Sequence, residues 1–291
     1  MKYILHYKYY LCRVLAKAGL LKYFSFFFTI RINNKKINIP VINGNGYFNL
    51  FPVKEAWMET LIQKCLAERQ GCIIDVGVNL GQTLLKIASF NNKVDYYGFE
   101  PNPVCYNYSK ELIKRNDLPS FKILPVGLSD DAAVVKLFGD NDHASGATVV
   151  EGFRNNTKKY KVIHHVPVLR GDIVLNDENI NAINFIKIDV EGAELEVVKG
   201  LQQTLQKYRP VLILEILPVY SLESPNGKMR KERQDQLLQL LREMQYDLFL
   251  IKEQEVKLKK LDDIPVHGDM GSTNYLLVPS TSSNQFSDML S

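Results

Sequence analysis

The sequence predicts an α/β protein built on a doubly wound, mostly parallel Rossmann-like sheet with helices on both faces. Three observations predict it. Short apolar runs rich in β-branched residues alternate with amphipathic stretches between residues 72 and 244. The first run ends in an acidic residue and a glycine turn, IIDVGVNLG at 73–81. Carboxylates then recur at the ends of later runs, at Glu100, Asp189 and Glu215.

Each element has a local reason. Residues 37–51 (INIPVINGNGYFNLF) read as a hairpin turning at Asn43-Gly44 and Asn45-Gly46. Residues 53–68 follow as an amphipathic helix offering Trp57, Leu61 and Leu66 to a core. Strands are expected near 72–76, 94–99, 121–126, 183–189 and 210–216, and helices near 80–90, 103–116, 193–207 and 230–244. Such alternation implies right-handed crossovers and a parallel sheet. Further β material is expected at 133–138 and 160–169, around a polar loop at 139–158. The chain divides into a basic aromatic extension (1–52), a catalytic domain (53–279) and a Ser-rich tail (280–291) expected to be disordered.

The turn after the first strand points to a nucleotide-type cofactor. Gly77 and Gly81 permit a sharp turn and close approach of backbone to ligand, and the helix after it presents free N–H groups. Glu100 closes the next strand, where a carboxylate can accept hydrogen bonds from two ribose hydroxyls. NAD and S-adenosylmethionine both suit that arrangement. The dinucleotide pattern G-x-G-x-x-G is absent, because Asn79 stands at its middle glycine and no third glycine follows. Asp75 would repel a pyrophosphate but could help hold an α-ammonium, directly or through water. The residues therefore favour S-adenosyl-L-methionine. The cofactor-binding candidates here are Asp75, Gly77, Asn79, Gly81, Glu100 and Asn102; the bland alternative is that Asp75 caps a turn and Glu100 precedes a helix.

IIDVGVNLGQT, GFEPNP, PVGLSDD at 125–131, INFIKIDVEGAELEVVKG at 183–200 and RPVLILEI at 209–216 resemble, in that order, the FkbM family of S-adenosylmethionine-dependent methyltransferases. The resemblance covers roughly residues 70–220 and reaches weakly to STNYLLVP at 272–279; Val78 departs from it, an alanine being usual there. It implies a class I methyltransferase fold and methyl transfer to oxygen, commonly a hydroxyl of a sugar, glycolipid or polyketide. With its help Ser129 and Asp130 are placed at the adenine edge.

Chemistry in such folds is expected beyond the carboxyl ends of the strands. Asp189, Glu191 and Glu215 qualify as a general base, as holders of sugar hydroxyls or as partners for a sulfonium cation. Glu191 could instead be a helix N-terminal residue. A divalent cation on the same carboxylates is the secondary reading, and no metal site is assigned. His143, on the polar loop, is a further candidate base; His164 and His165 are strand neighbours facing opposite sides and make a poor metal site.

At 291 residues, 46% hydrophobic and 23% charged, the chain suits a globular catalytic domain. Four cysteines without a C-x-x-C pair point to a reducing, cytoplasmic setting. The net charge of +4 hides an asymmetry. Residues 1–54 hold nine of the 36 basic residues and none of the 32 acidic ones, interleaved with Tyr3, Tyr7, Tyr9, Tyr10, Tyr23, Phe24, Phe26, Phe27 and Phe28. Such a mixture suits peripheral contact with an anionic membrane. Lys8, Arg13, Lys17 and Lys22 interrupt every run long enough to span a bilayer or form a signal core. A basic helix packed on the domain is the equal alternative. The acidic body and the lack of an N-P-P-Y-type amine site argue against nucleic acid. A non-catalytic protein that binds a partner through the arm is the rival class; the intact turn, Asp75 and Glu100 argue against it. The oligomeric state and the exact acceptor are not legible.

Overall fold

The computed structural model describes residues 2–51, 55–141, 146–154 and 159–289. In chain order its elements are α1 (Lys2–Lys17), β1 (Ser25–Ile32), β2 (Lys35–Ile42), α2 (Ala56–Glu68), β3 (Cys72–Val76), α3 (Gln82–Phe90), β4 (Tyr96–Phe99), α4 (Pro103–Arg115), β5 (Phe121–Leu124), β6 (Gly127–Ser129), β7 (Ala133–Gly139) and β8 (Lys161–Arg170). There follow α5 (Gly171–Asp177), β9 (Ile183–Ile188), α6 (Glu194–Gly200), α7 (Gln202–Tyr208), β10 (Val211–Glu215), α8 (Pro225–Glu243), β11 (Tyr246–Lys252), β12 (Lys257–Leu261) and β13 (Asn274–Pro279).

Eight strands form the central sheet in the order β12-β11-β13-β10-β9-β3-β4-β5. β5, β4, β3, β9 and β10 run parallel, and β13, β11 and β12 add an antiparallel flank. The central strands β3 and β9 are buried on both faces, which is why CIIDV and INFIKI read as unbroken apolar runs rather than alternating ones. From β3 the chain winds outward through β4 and β5 and then returns to β9 on the other side. The switch in strand order therefore lies between β3 and β9, where Val76 pairs with Ile188.

The two helical layers each close a core. One contains Leu84, Leu112, Trp57 and Leu61 from α2, α3 and α4; the other contains Leu175, Val198, Leu205, Leu237 and Leu241 from α5 to α8. Helix starts follow their capping chemistry. Asn102 accepts from Val104 N before α4, with Pro103 at the first position, and Ser224 accepts from Gly227 N before α8, with Pro225 there.

Several elements differ from expectation. The hairpin pairs β1 with β2 through Asn33-Asn34, both left-handed at φ 46° and 65°. Asn43-Gly44 instead leads into a 3-10 turn at Tyr47–Leu50. The aromatic run SFFFTIRI is thus a strand, and the N-terminal elements are built into the main domain: Cys12, Leu21, Ile30, Ile39 and Leu50 are buried in the same core as Trp57 and Leu84. The helix expected at 193–207 is broken at Leu201, and at Gly200 beside the break a Cβ would stand 1.8 Å from the carbonyl oxygen of Ser129. The tail expected to be disordered forms a 3-10 helix, Ser280–Met289, because Phe286 is fully buried in the core and Ser283 Oγ donates to Asp247 at 2.7 Å. No helix among the described residues is long and apolar enough to cross a membrane.

Candidate active site

The site begins with the turn after β3. Gly77 (φ +88°) is needed because a Cβ there would lie 1.9 Å from the carbonyl oxygen of Asp189, so only glycine lets the ends of β3 and β9 close together. Asn79 (φ +50°) points its backbone N–H at Glu100, whose Oε2 accepts it at 2.7 Å; Oε1 accepts from Asn102 N at 2.8 Å. Glu100 thus ties the β3 turn to the start of α4. Burial pushes its carboxyl up to about 7, the two backbone donors opposing. Gly81 (φ +76°) acts through packing, since a Cβ would press on Leu112 at 2.8 Å.

Two cavities open at the carboxyl edge of the sheet and share Gly77, Asn79, Asp189 and Glu191. The first, a cleft, is walled by Phe99, Pro101, Leu128, Leu137 and Val168, with Glu100 and Asn102 beside the shared polar groups. The second runs between α2, α3 and the sheet edge, where Lys187, Glu215 and Asn274 join the shared carboxylates.

Asp75 lies elsewhere than expected. It is fully buried and lines neither cavity, because it faces across to the neighbouring strands: Tyr96 Oη donates to its Oδ2 at 2.7 Å, and Lys187 Nζ stands 3.6 Å from its Oδ1. Burial raises its carboxyl, with Lys187 opposing. Direct contact with a ligand ammonium is closed to it. Ser129 and Asp130 also miss the cavities; at that edge the lining falls to Gly127 and Leu128. His143 lies outside the described residues.

The three rim carboxylates come together as expected. Asp189 is held by Lys187 at 3.1 Å, and Glu215 accepts from Thr273 Oγ1 at 3.3 Å. Glu191 pairs with Arg154. It sits in a left-handed turn (φ +56°) before α6 rather than in that helix's first turn, so the reading as a helix N-terminal residue does not apply. Burial first, then the charge of Asp189, pushes both Glu191 and Glu215 up to about 8.

Lys187 is a cavity-lining residue that sequence reasoning missed. Burial alone would lower it, but Asp189 and Asp75 outweigh burial and hold it above the ordinary lysine range, as a fixed cation. Its signal was a lone lysine inside INFIKI, two residues before Asp189 and in register with Asp75.

A family model for the Methyltransferase FkbM domain matches residues 75–248, well over half of the chain. The chain belongs to the FkbM methyltransferase family. The matched segment spans both the β3 turn and the rim carboxylates. Among relatives, Methyltransferase sdnD of Sordaria araneosa is 28% identical over 156 residues, which cover 45% of this chain and 60% of that protein. Hexuronic acid methyltransferase AglP of Haloferax volcanii is 30% identical over 199 residues, covering 63% and 77%. The 2-O-methyltransferase NoeI of Sinorhizobium fredii is 24% identical over 170 residues, covering 54% and 68%. The chain thus spans less than two thirds of sdnD and about three quarters of AglP.

Proposed function

We propose that this FkbM-family protein is an S-adenosylmethionine-dependent O-methyltransferase acting on a hydroxyl of a sugar or glycolipid. The observation that carries the reading is the rim of Asp189, Glu191 and Glu215 around the junction of two cavities. One cavity has the make-up of an adenosine site: a ribose-type carboxylate in Glu100 and apolar walls in Phe99, Leu128 and Val168. The other has the carboxylates and amides that hold a polyhydroxylated acceptor. The names of AglP and NoeI, a hexuronic acid and a 2-O-methyltransferase, support a sugar hydroxyl as acceptor.

When bound, the cofactor supplies a methyl group already activated on a sulfonium cation. The chain's own work is then to align the acceptor oxygen, exclude water and take its proton. The carboxylates of the rim favour a cation beside them. Glu215 is assigned as the base, since Glu191 is paired with the cation of Arg154 and Asp189 with that of Lys187, whereas the hydrogen-bond partners of Glu215 are the Thr273 hydroxyl and the Asp189 carboxyl. A carboxyl near 8 is well matched to removing a proton at neutral pH.

The test is Glu215→Gln, assayed for methyl transfer to a panel of neutral and acidic sugars. S-adenosylhomocysteine affinity should stay within about threefold while kcat falls roughly 10²–10⁴-fold. In the wild type, kcat/KM should rise with pH through about 8, because the base form accumulates above that value; the variant should lose this limb. An unchanged kcat would remove the base assignment.

The N-terminal surface supports peripheral membrane contact, which would bring the site to a glycolipid. Tyr7, Tyr10, Tyr23, Phe24, Phe27 and Phe48 are half or more exposed, amid a segment with no acidic residue. Phe48 also lines the second cavity, so this surface borders its mouth.

A further inference from the structure

Strand β9 is buried along its whole length, yet it carries a lysine, and Lys187 is only 8% exposed. An isolated ammonium in such a place would shed its proton. Two carboxylates keep it charged. Asp189 Oδ2 accepts from its Nζ at 3.1 Å, and Asp75 Oδ1 stands 3.6 Å from the same atom. Strand register makes the second contact, because Asp75 on β3 pairs with Lys187 on β9. Tyr96 Oη donates to the other oxygen of Asp75 at 2.7 Å, so this fully buried carboxylate is spent on holding Lys187 rather than on a ligand.

Asp189 is also hydrogen-bonded to Glu215, which ends the neighbouring parallel strand β10. Two carboxyls in such contact resist ionising together, and the other titratable groups around them do little to help. Glu100, Glu191 and Glu194 are further carboxyls that feel the charge of Asp189. Arg154 is committed to Glu191, Arg233 to Glu196 and, across the cavity, Lys86 to Glu55, with Glu59 adding another carboxylate on that side. Lys187 is the cation that touches the pair. Tyr96, Asp75, Lys187, Asp189 and Glu215 thus form a line from the buried sheet to the wall of the second cavity. We infer that Lys187 is the positioning residue of the methyl-transfer base: it fixes Asp189 against Glu215 and supplies the positive charge that lets both carboxylates be ionised together, ready for the acceptor's proton. In that step the acceptor's O–H bond breaks, its proton goes to Glu215, and its oxygen bonds the methyl carbon as the carbon–sulfur bond breaks toward sulfur. The inference rests on the assignment of Glu215 above and names the group that makes Glu215 usable.

The test is a carboxyl titration by NMR of the full chain labelled with carbon-13 at the glutamate Cδ, the Glu215 signal being the one missing from Glu215→Gln. In the wild type that signal should titrate near 8. Lys187→Met should move its ionisation up by about one pH unit or more, at least tenfold in the ionisation constant, whereas Lys187→Arg, which keeps the charge, should restore it to within about half a unit. A lysine that merely fills space would leave the titration where it is. If Lys187→Met does not fold, the double variant Asp75→Asn/Lys187→Met removes the buried carboxylate together with its cation and carries the same expectation. A Glu215 signal that titrates alike in wild type and the methionine variants would overturn the inference, and so would an arginine variant that behaves like methionine. Failure of the underlying reading looks different: Glu215→Gln would then keep its kcat, whatever the titration of the lysine variants shows.

Discussion

Individual residues in this site are chosen for backbone approach as much as for chemistry. Gly77 shows the point, since its missing side chain is where the carbonyl of Asp189 sits. Gly77→Ala should destabilise by about 3 kcal/mol or more and lower Tm by roughly 6–12 °C. Gly152 offers the control. It too has a positive φ (+75°), but nothing lies within 4 Å of the point where a Cβ would stand, so Gly152→Ala should cost only about 1 kcal/mol. Equal losses in the two variants by chemical denaturation would show that the left-handed backbone, not the clash with Asp189, governs Gly77. Glu100 and Asp75 differ in the same spirit. Both were legible as acidic residues at strand ends, yet Glu100 lines a cavity while Asp75 is consumed by Tyr96 and Lys187. The sequence marks the carboxylate; only the neighbouring strands decide which way it faces.

At the scale of elements, the central parallel strands were legible because burial on both faces leaves an uninterrupted apolar run. The N-terminal elements were not, because a strand such as SFFFTIRI buries only some of its residues and leaves aromatic side chains in solvent. Tyr23, Phe24 and Phe27 are 71%, 52% and 52% exposed. Replacing all three by Ser should therefore leave thermal stability nearly unchanged but reduce co-sedimentation with phosphatidylglycerol vesicles several-fold, with little binding to phosphatidylcholine in either form. Undiminished sedimentation of the variant would take the membrane role away from this surface. Deleting the segment would be a poorer experiment, since Cys12, Leu21 and Ile30 belong to the core and their loss would unfold the domain.

Across the whole molecule, the electrostatic pattern is a set of buried carboxyls gathered at one sheet edge. Glu100 and Glu194 are raised to about 7, and Glu191 and Glu215 to about 8, burial being the largest cause for each. Their folded values lie above the ordinary 4.5, so their contribution to stability is fully present below about 4.5 and is lost as pH rises through 7 to 8. The ligand-free protein should accordingly show a falling Tm between pH 5 and 8. S-adenosylmethionine should flatten that fall, because a cation beside the rim favours the ionised carboxylates. A Tm that rises over this interval would mean that the carboxyls are not held above their ordinary range.

The sequence by itself determined the fold class, the strand and helix alternation of the catalytic body, the glycine turn and the carboxylates at the strand ends, because these depend on local periodicity and on residue types with few structural substitutes. It also carried the family resemblance. Tertiary structure alone decided that Asp75 turns inward and that Ser129 and Asp130 pass beyond the cleft. It also buried Phe286, which orders the tail, and built the N-terminal hairpin into the domain core. Those outcomes depend on which chain segments meet across the sheet, on strand register and on space left by a neighbour's backbone, and none of these is a property of any local stretch of sequence.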